Sequence, residues 1–235
     1  MKVIVDQEFW DVFPDAQISI LNIVGLDNHI DESKNPYFQD LLTKASQKAQ
    51  DFIQEESFTE NDVIKEWREA FTKFKTKKGA RSSIEALLKR VSQERDFHPT
   101  NPLVDLYNSI SLSYGLPCGG EDVDCIVGDM HLGKAKGGEA LFPLGAEDDS
   151  PALPEEMIYY DDKGAICRNL NWREAKRTML AEDTQHAVLV IEAINDTQKE
   201  RAQEAAQALS KLLTDYFGQE VSIVHLTTEH REVEL

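Results

Sequence analysis

Apolar residues recur at three- and four-residue spacing through Leu103, Leu106, Ile110 and Tyr114, which predicts an amphipathic helix beginning at Pro102. Gly115 and Pro117 mark its end, and proline is tolerated at its first position. Near the N-terminus the pattern is that of strands: 2–5 and 17–24 are rich in Ile and Val, with a turn at 13–15 between them. The span 35–56 reads as a polar helix. Another helix begins near Thr59 with Val63, Trp67 and Phe71 on one face and is broken at Gly79. Ser82 or Ser83 opens a further short helix through Ile84, Leu87, Leu88 and Val91.

After Gly120 the texture changes to short apolar runs at 124–127, 130–132, 141–143, 157–160 and 165–168, punctuated by Gly, Pro and Asp. The acidic stretch 145–153 is expected to be an exposed loop. A buried-type strand at 187–193 precedes a long helix, 196–216, whose inner face carries Ala202, Ala205, Ala206, Leu209, Leu212 and Leu213. A strand at 219–226 follows. The chain shows no internal repeat and no long linker. The expected fold class is therefore α+β, a single domain over 1–235, with a helical part at about 35–95 beside a sheet-rich core at about 96–226.

Composition narrows the function. No run of about 18 apolar residues is present, so neither a membrane span nor a membrane partner is expected. The opening residues lack a signal-like apolar region. Three cysteines without metal-like spacing suit a reducing cytosol, which makes the cytoplasm the expected location. The net charge of −18 opposes binding to a polyanion over most of the surface, and DNA is not an expected partner. The charge is uneven, however. Residues 65–90 hold Lys65, Arg68, Lys73, Lys75, Lys77, Lys78, Arg81, Lys89 and Arg90 against only Glu66, Glu69 and Glu85. That stretch reads either as a solvated helical face or as a phosphate-contacting patch of modest, salt-sensitive affinity.

Chemistry-bearing residues gather in two places. Gly119-Gly120 reads as a turn whose bare backbone would approach a ligand closely and offer N–H groups to an anion or oxyanion. Asp105 and Asn108, three apart on the preceding helix, share a face directed toward it; Asn108 is read as either a buried loop-capping amide or a substrate-holding group. Glu121, Asp122, Asp124 and Asp129 crowd one loop without a calcium-loop spacing, and read better as partners for an ammonium than for a metal. Asn171-Trp172-Arg173-Glu174 offers hydrogen-bonding, stacking and charged groups in four residues, with Glu174 a candidate general base. Cys118 lacks a matching histidine for thiolate chemistry. Thr178 and Thr184 are either caps or pocket hydroxyls.

The run Asn101-Pro-Leu-Val-Asp105, followed by Asn108, Gly115 and Pro117, resembles the tRNA-editing (B-three/B-four) domain of the phenylalanyl-tRNA synthetase β-subunit in its free-standing form. Further similarity lies in residues 154–162, in Asn171-Trp172-Arg173, and from Thr178 through Glu182-Asp-Thr-Gln185 into the strand that follows. The resemblance implies a layered, sandwich-like core with packed helices. It implies an aminoacyl-tRNA deacylase that cleaves a wrong amino acid from the tRNA 3′ end and is not a tRNA ligase on its own. On this reading Asn108, Gly119, Gly120 and Glu174 are catalytic. Asp105, Tyr107, Glu121, Asp122, Asp124, Asn171, Trp172, Arg173 and Thr178 bind substrate, and Lys75, Lys77, Lys78 and Arg81 contact tRNA phosphates. The expected partners are the acceptor end of an aminoacyl-tRNA and an aminoacyl-tRNA synthetase; no cofactor or metal is expected. The chain departs from the family at Gly119, where the resemblance implies that a pocket histidine is common. A non-catalytic module that binds an amino acid or a tRNA end is the alternative, and a metal-dependent hydrolase a more distant one.

Overall fold

The two longest strands, β2 (Gln17–Val24) and β8 (His186–Ala193), pair antiparallel along their whole lengths at the middle of a four-stranded sheet. β3 (Cys118–Asp122) joins the outer edge of β8, and β9 (Val221–Leu226) the outer edge of β2, giving the order β3-β8-β2-β9. A second sheet is built around β1 (Lys2–Val5), β4 (Met130–Lys134), β5 (Met157–Asp161) and β6 (Gly164–Arg168). The two-residue β7 (Arg173–Glu174) and β10 (Glu232–Glu234) complete the order β10-β1-β4-β5-β6-β7. β1 and β4 run parallel and the other neighbours antiparallel. This computed structural model describes residues 1–235.

Because successive strand side chains point to opposite faces, β8 serves two layers. Leu189 and Ile191 face α5 (Pro102–Tyr114) and α6 (Asp196–Phe217), whose Leu103, Leu106, Ala202, Ala205 and Leu209 complete one core. Val188 and Val190 face the second sheet, meeting Met130, Leu132, Met157 and Ile166 in another. The layers are thus helices, four-stranded sheet, six-stranded sheet. The α-helices α1 (Gln7–Val12), α2 (Asn35–Ala49), α3 (Asp62–Ala70) and α4 (Ser83–Ser92) close the sides of the sandwich.

Capping fixes α5, the helix whose middle, at Tyr107 and Asn108, reaches the site. Asn101 Oδ1 accepts from Val104 N–H at 3.0 Å, and Gly115 ends the helix in the left-handed region at φ 62°. Buried Asn28 locks the entry by accepting from Leu103 N–H and donating to the Ala181 carbonyl.

Several local expectations are corrected. Gly119-Gly120 is not a turn: both residues lie inside β3, paired with Val190 and Leu189. Apolar partners on β8 and an edge position outweigh the weak strand propensity of glycine. The polar helix from 35 ends at Ala49, with one 3-10 turn (Gln50–Phe52) beyond it. The helix expected from Thr59 starts after Asn61 and stops at Ala70 rather than Gly79. No strand forms at 124–127, where a 3-10 turn (Val123–Cys125) is followed by irregular chain, and 141–143 contributes a single bridge, Pro143 to Ala175. Helix α1 was not expected, because six residues are too few for periodicity to register; Phe9 and Trp10, both buried, hold it to the core.

Candidate functional site

A cavity of about 320 Å³ opens between the two sheets beside β3. Strand alternation explains its walls. Gly119 and Glu121 share the face of β3 opposite Val190 and Val188, toward the second sheet, whereas Cys118 joins the core beneath the helices. Glu192, from the same face of β8, and Tyr159, from β5, form the floor. Tyr107 and Asn108 enter from α5, Ser83, Ala86 and Leu87 from α4, and Leu170, Asn171, Trp172 and Glu174 from the segment leading into β7.

Three glutamates are brought together here, and burial acts on all of them. Glu121 is 7% exposed, and its pKa is raised well above the ordinary value by burial first and by the nearby charge of Glu174 second. Its Oε2 is enclosed and makes no hydrogen bond of good geometry, although the nearby Thr178 hydroxyl opposes the rise. Glu174 is raised by burial alone. Glu192, 3% exposed, is pushed up to about 7 by burial, against the opposing effect of hydrogen bonds from Asn171 and Tyr159. Tyr159 donates its hydroxyl to Glu192 Oε1 at 2.8 Å, and Asn171 Nδ2 donates to Glu192 Oε2. Asn171 Oδ1 accepts from Ser83 N–H at 2.8 Å, so a single amide ties the floor to the start of α4.

Asn108, Tyr107, Gly119, Gly120, Glu121, Asn171, Trp172 and Glu174 therefore share one cavity. The rest of the expected set lies elsewhere. Asp105, 2% exposed, braces the start of α5 by accepting from Thr100 N–H and from Thr100 Oγ1 at 2.9 Å. Three residues along a helix carry its carboxylate about a turn from Asn108 toward the opposite end. Asp122 points to the other face of β3, accepting from Thr184 Oγ1 at 2.7 Å and from Asp124 N–H. Asp124 is exposed, and Asp129 caps Lys2 N–H. Of the expected acidic group only Glu121 reaches the cavity. Arg173 is exposed and stacks on Trp172 with its guanidinium 4.9 Å from the ring centre. Thr178 is buried behind Glu121 with its Oγ1 unpartnered, and its carbonyl accepts from Asp122 N–H. Lys75, Lys77, Lys78 and Arg81 are exposed on the loop that ends at Ser83 and the cavity edge. Asn169 Oδ1 holds that loop through Lys77 N–H.

Sequence reading missed Glu192 and Tyr159. Each sits in an apolar strand where period-2 alternation alone would have assigned it to the inter-sheet face, and a carboxylate at a core-facing position was the available signal.

A family profile for the B3/4 domain matches residues 66–218, more than half of the chain. The chain belongs to the B3/4 domain family. The matched span contains every cavity residue named above. Among solved structures, this B3/4 protein is similar to an N-terminal fragment of the phenylalanyl-tRNA synthetase beta-subunit from Pyrococcus horikoshii. The match has a TM-score of 0.51 at 13% identity, covering 95% of this chain and 53% of that fragment. The chain thus spans about half the length of that relative, and the likeness is one of fold. No curated protein sequence matches the chain.

Proposed function

We propose that this B3/4 protein is a trans-acting aminoacyl-tRNA deacylase, acting on the ester between an amino acid and the 3′-terminal adenosine. The observation that carries the reading is the cavity, where the buried Glu121 and Glu174 lie together in a lining without a basic side chain. A buried carboxyl group without a counter-charge ionises when the α-ammonium of an aminoacyl ester is placed beside it, which makes the two natural partners. Binding alone separates similar side chains by only about 1–3 kcal/mol, which is the need that a separate hydrolytic step answers.

Roles follow from position. Glu121 receives the α-ammonium. Glu174, raised by burial, is the base for the attacking water, since a carboxylate nearer neutrality is the stronger proton acceptor. Asp122 N–H leaves the β3–β8 ladder to reach the Thr178 carbonyl, so Gly120 N–H, two residues earlier, points the same way and is the donor for the developing oxyanion. Asn108 holds the carbonyl side of the substrate. Trp172, with Arg173 stacked on its ring, supplies a platform for the adenine. The exposed Lys75, Lys77, Lys78 and Arg81 meet the acceptor-end phosphates.

Incubation with a panel of mischarged tRNAs at low salt tests this, the expected result being release of one amino acid faster than spontaneous hydrolysis. Absence of release across the panel overturns it. A second reading, a non-catalytic module for an amino acid or a tRNA end, is favoured by Gly119, which brings no side chain to the cavity, and by the net charge of −18. Binding of aminoacyl-adenosine analogues without turnover selects that reading.

A further inference from the structure

The cavity is lined by three glutamates, and by no Lys, Arg or His. The nearby Arg177 is committed to Asp161, with Nη1 and Nη2 at 2.8 and 2.6 Å from its two carboxylate oxygens. A cation entering the site meets the carboxyl groups of Glu121, Glu174 and Glu192. A carboxylate entering it finds no counter-charge at all, and would have to bury its own charge in a largely apolar space beside three glutamates whose ionised forms burial already disfavours.

We infer that the cavity is a charge filter: it accepts amino acids only when their carboxyl group is esterified or amidated, and it rejects the free amino acid. This rests on the editing reading and adds the substrate form and a route for product release to it. During hydrolysis the water oxygen bonds to the carbonyl carbon and the bond to the ribose oxygen breaks. One water proton ends on the ribose hydroxyl, and the new acid loses the other to solvent. The product thereby acquires a negative charge inside a glutamate-lined space. The cationic ester that fitted becomes a zwitterion that does not, so the amino acid leaves and does not compete with the next substrate.

The test is calorimetric titration of the full chain with each proteinogenic amino acid in three forms: primary amide, free acid, and N-acetyl amide. The expected result is at least one amide that binds more than about tenfold tighter than its own free acid. Its N-acetyl form, which has lost the cation, fails to bind. A free acid that binds as tightly as its amide overturns the filter, and so does failure of every amide to bind. In Glu174→Gln the gap between amide and acid narrows; an unchanged gap in a folded variant also counts against the inference. Deacylation of mischarged tRNA is scored separately. Selective amide binding without deacylation keeps the filter and removes the editing reading, whereas deacylation together with tight free-acid binding does the reverse.

Discussion

Gly119 and Gly120 are neighbours in one strand, yet a side chain on the first would project into empty space and one on the second would strike a wall. Nothing lies within 4 Å of a methyl group added at Gly119, while at Gly120 the added carbon falls 2.3 Å from Leu189 Cδ2 and 3.0 Å from Leu180 Cδ1. Leu189 is fully buried and has no free volume to move into. Gly120→Ala is therefore expected to destabilise the fold by about 1–3 kcal/mol in urea titration. Gly119→Leu should fold with near wild-type stability but lose binding of aminoacyl-adenosine analogues because it fills the cavity. Equal stability losses in the two variants would contradict the stated geometry.

Glu192 gives the fold a pH dependence. Its folded pKa of about 7 lies above the ordinary 4.5, so between those values the folded chain keeps a proton that the unfolded chain releases. Stability therefore falls as pH rises from about 4.5 to about 7 and levels off above, by about 3 kcal/mol from this group. Burial raises Glu121 and Glu174 in the same direction. In Glu192→Gln, the drop in melting temperature between pH 5 and pH 8 should shrink; a steeper drop would show that the carboxylate is not held protonated.

Asn171 joins two parts of the site, so its loss should be felt twice. Asn171→Ala frees Ser83 N–H and removes a donor from Glu192. The expected cost is about 1–3 kcal/mol of stability, together with an upward shift of the Glu192 titration followed by carboxyl-carbon NMR. An unmoved titration would mean that the amide is not a working partner of the carboxylate.

The basic loop separates tRNA binding from chemistry. Replacing Lys75, Lys77, Lys78 and Arg81 with serine should lower deacylation of mischarged tRNA at low salt and flatten its salt dependence, by about 0.7 in the log–log slope for each phosphate that is no longer neutralised. Hydrolysis of a small aminoacyl-adenosine ester should be unaffected. If both substrates lose activity together, the loop acts on the fold and not on the phosphates.

Which parts of this were legible in the chain follows from how local their causes are. α5 was readable to the residue because Asn101, Pro102 and Gly115 are local start and stop signals, and β1 and β2 because they are rich in Ile and Val. The diglycine segment misled, since glycine reports backbone freedom, whereas its pairing with Val190 and Leu189 comes from a strand about 70 residues away. Asp122 and Asp124 looked like partners of Glu121 by adjacency, but the pleat sends Asp122 to the opposite face and a 3-10 turn leaves Asp124 in solvent. Conversely, Glu192 joins Glu121 only through the register of β3 on β8, which no single-sequence pattern encodes.

Since Glu192 and Val190 belong to a strand buried in the middle of the molecule, the floor of the cavity is also part of what keeps the chain folded. Anything seated there clamps both sheets at once, and a ligand present at a hundred times its dissociation constant would add about 2.7 kcal/mol to the free energy of unfolding. Resistance to heat thus becomes a gauge of what the protein has caught.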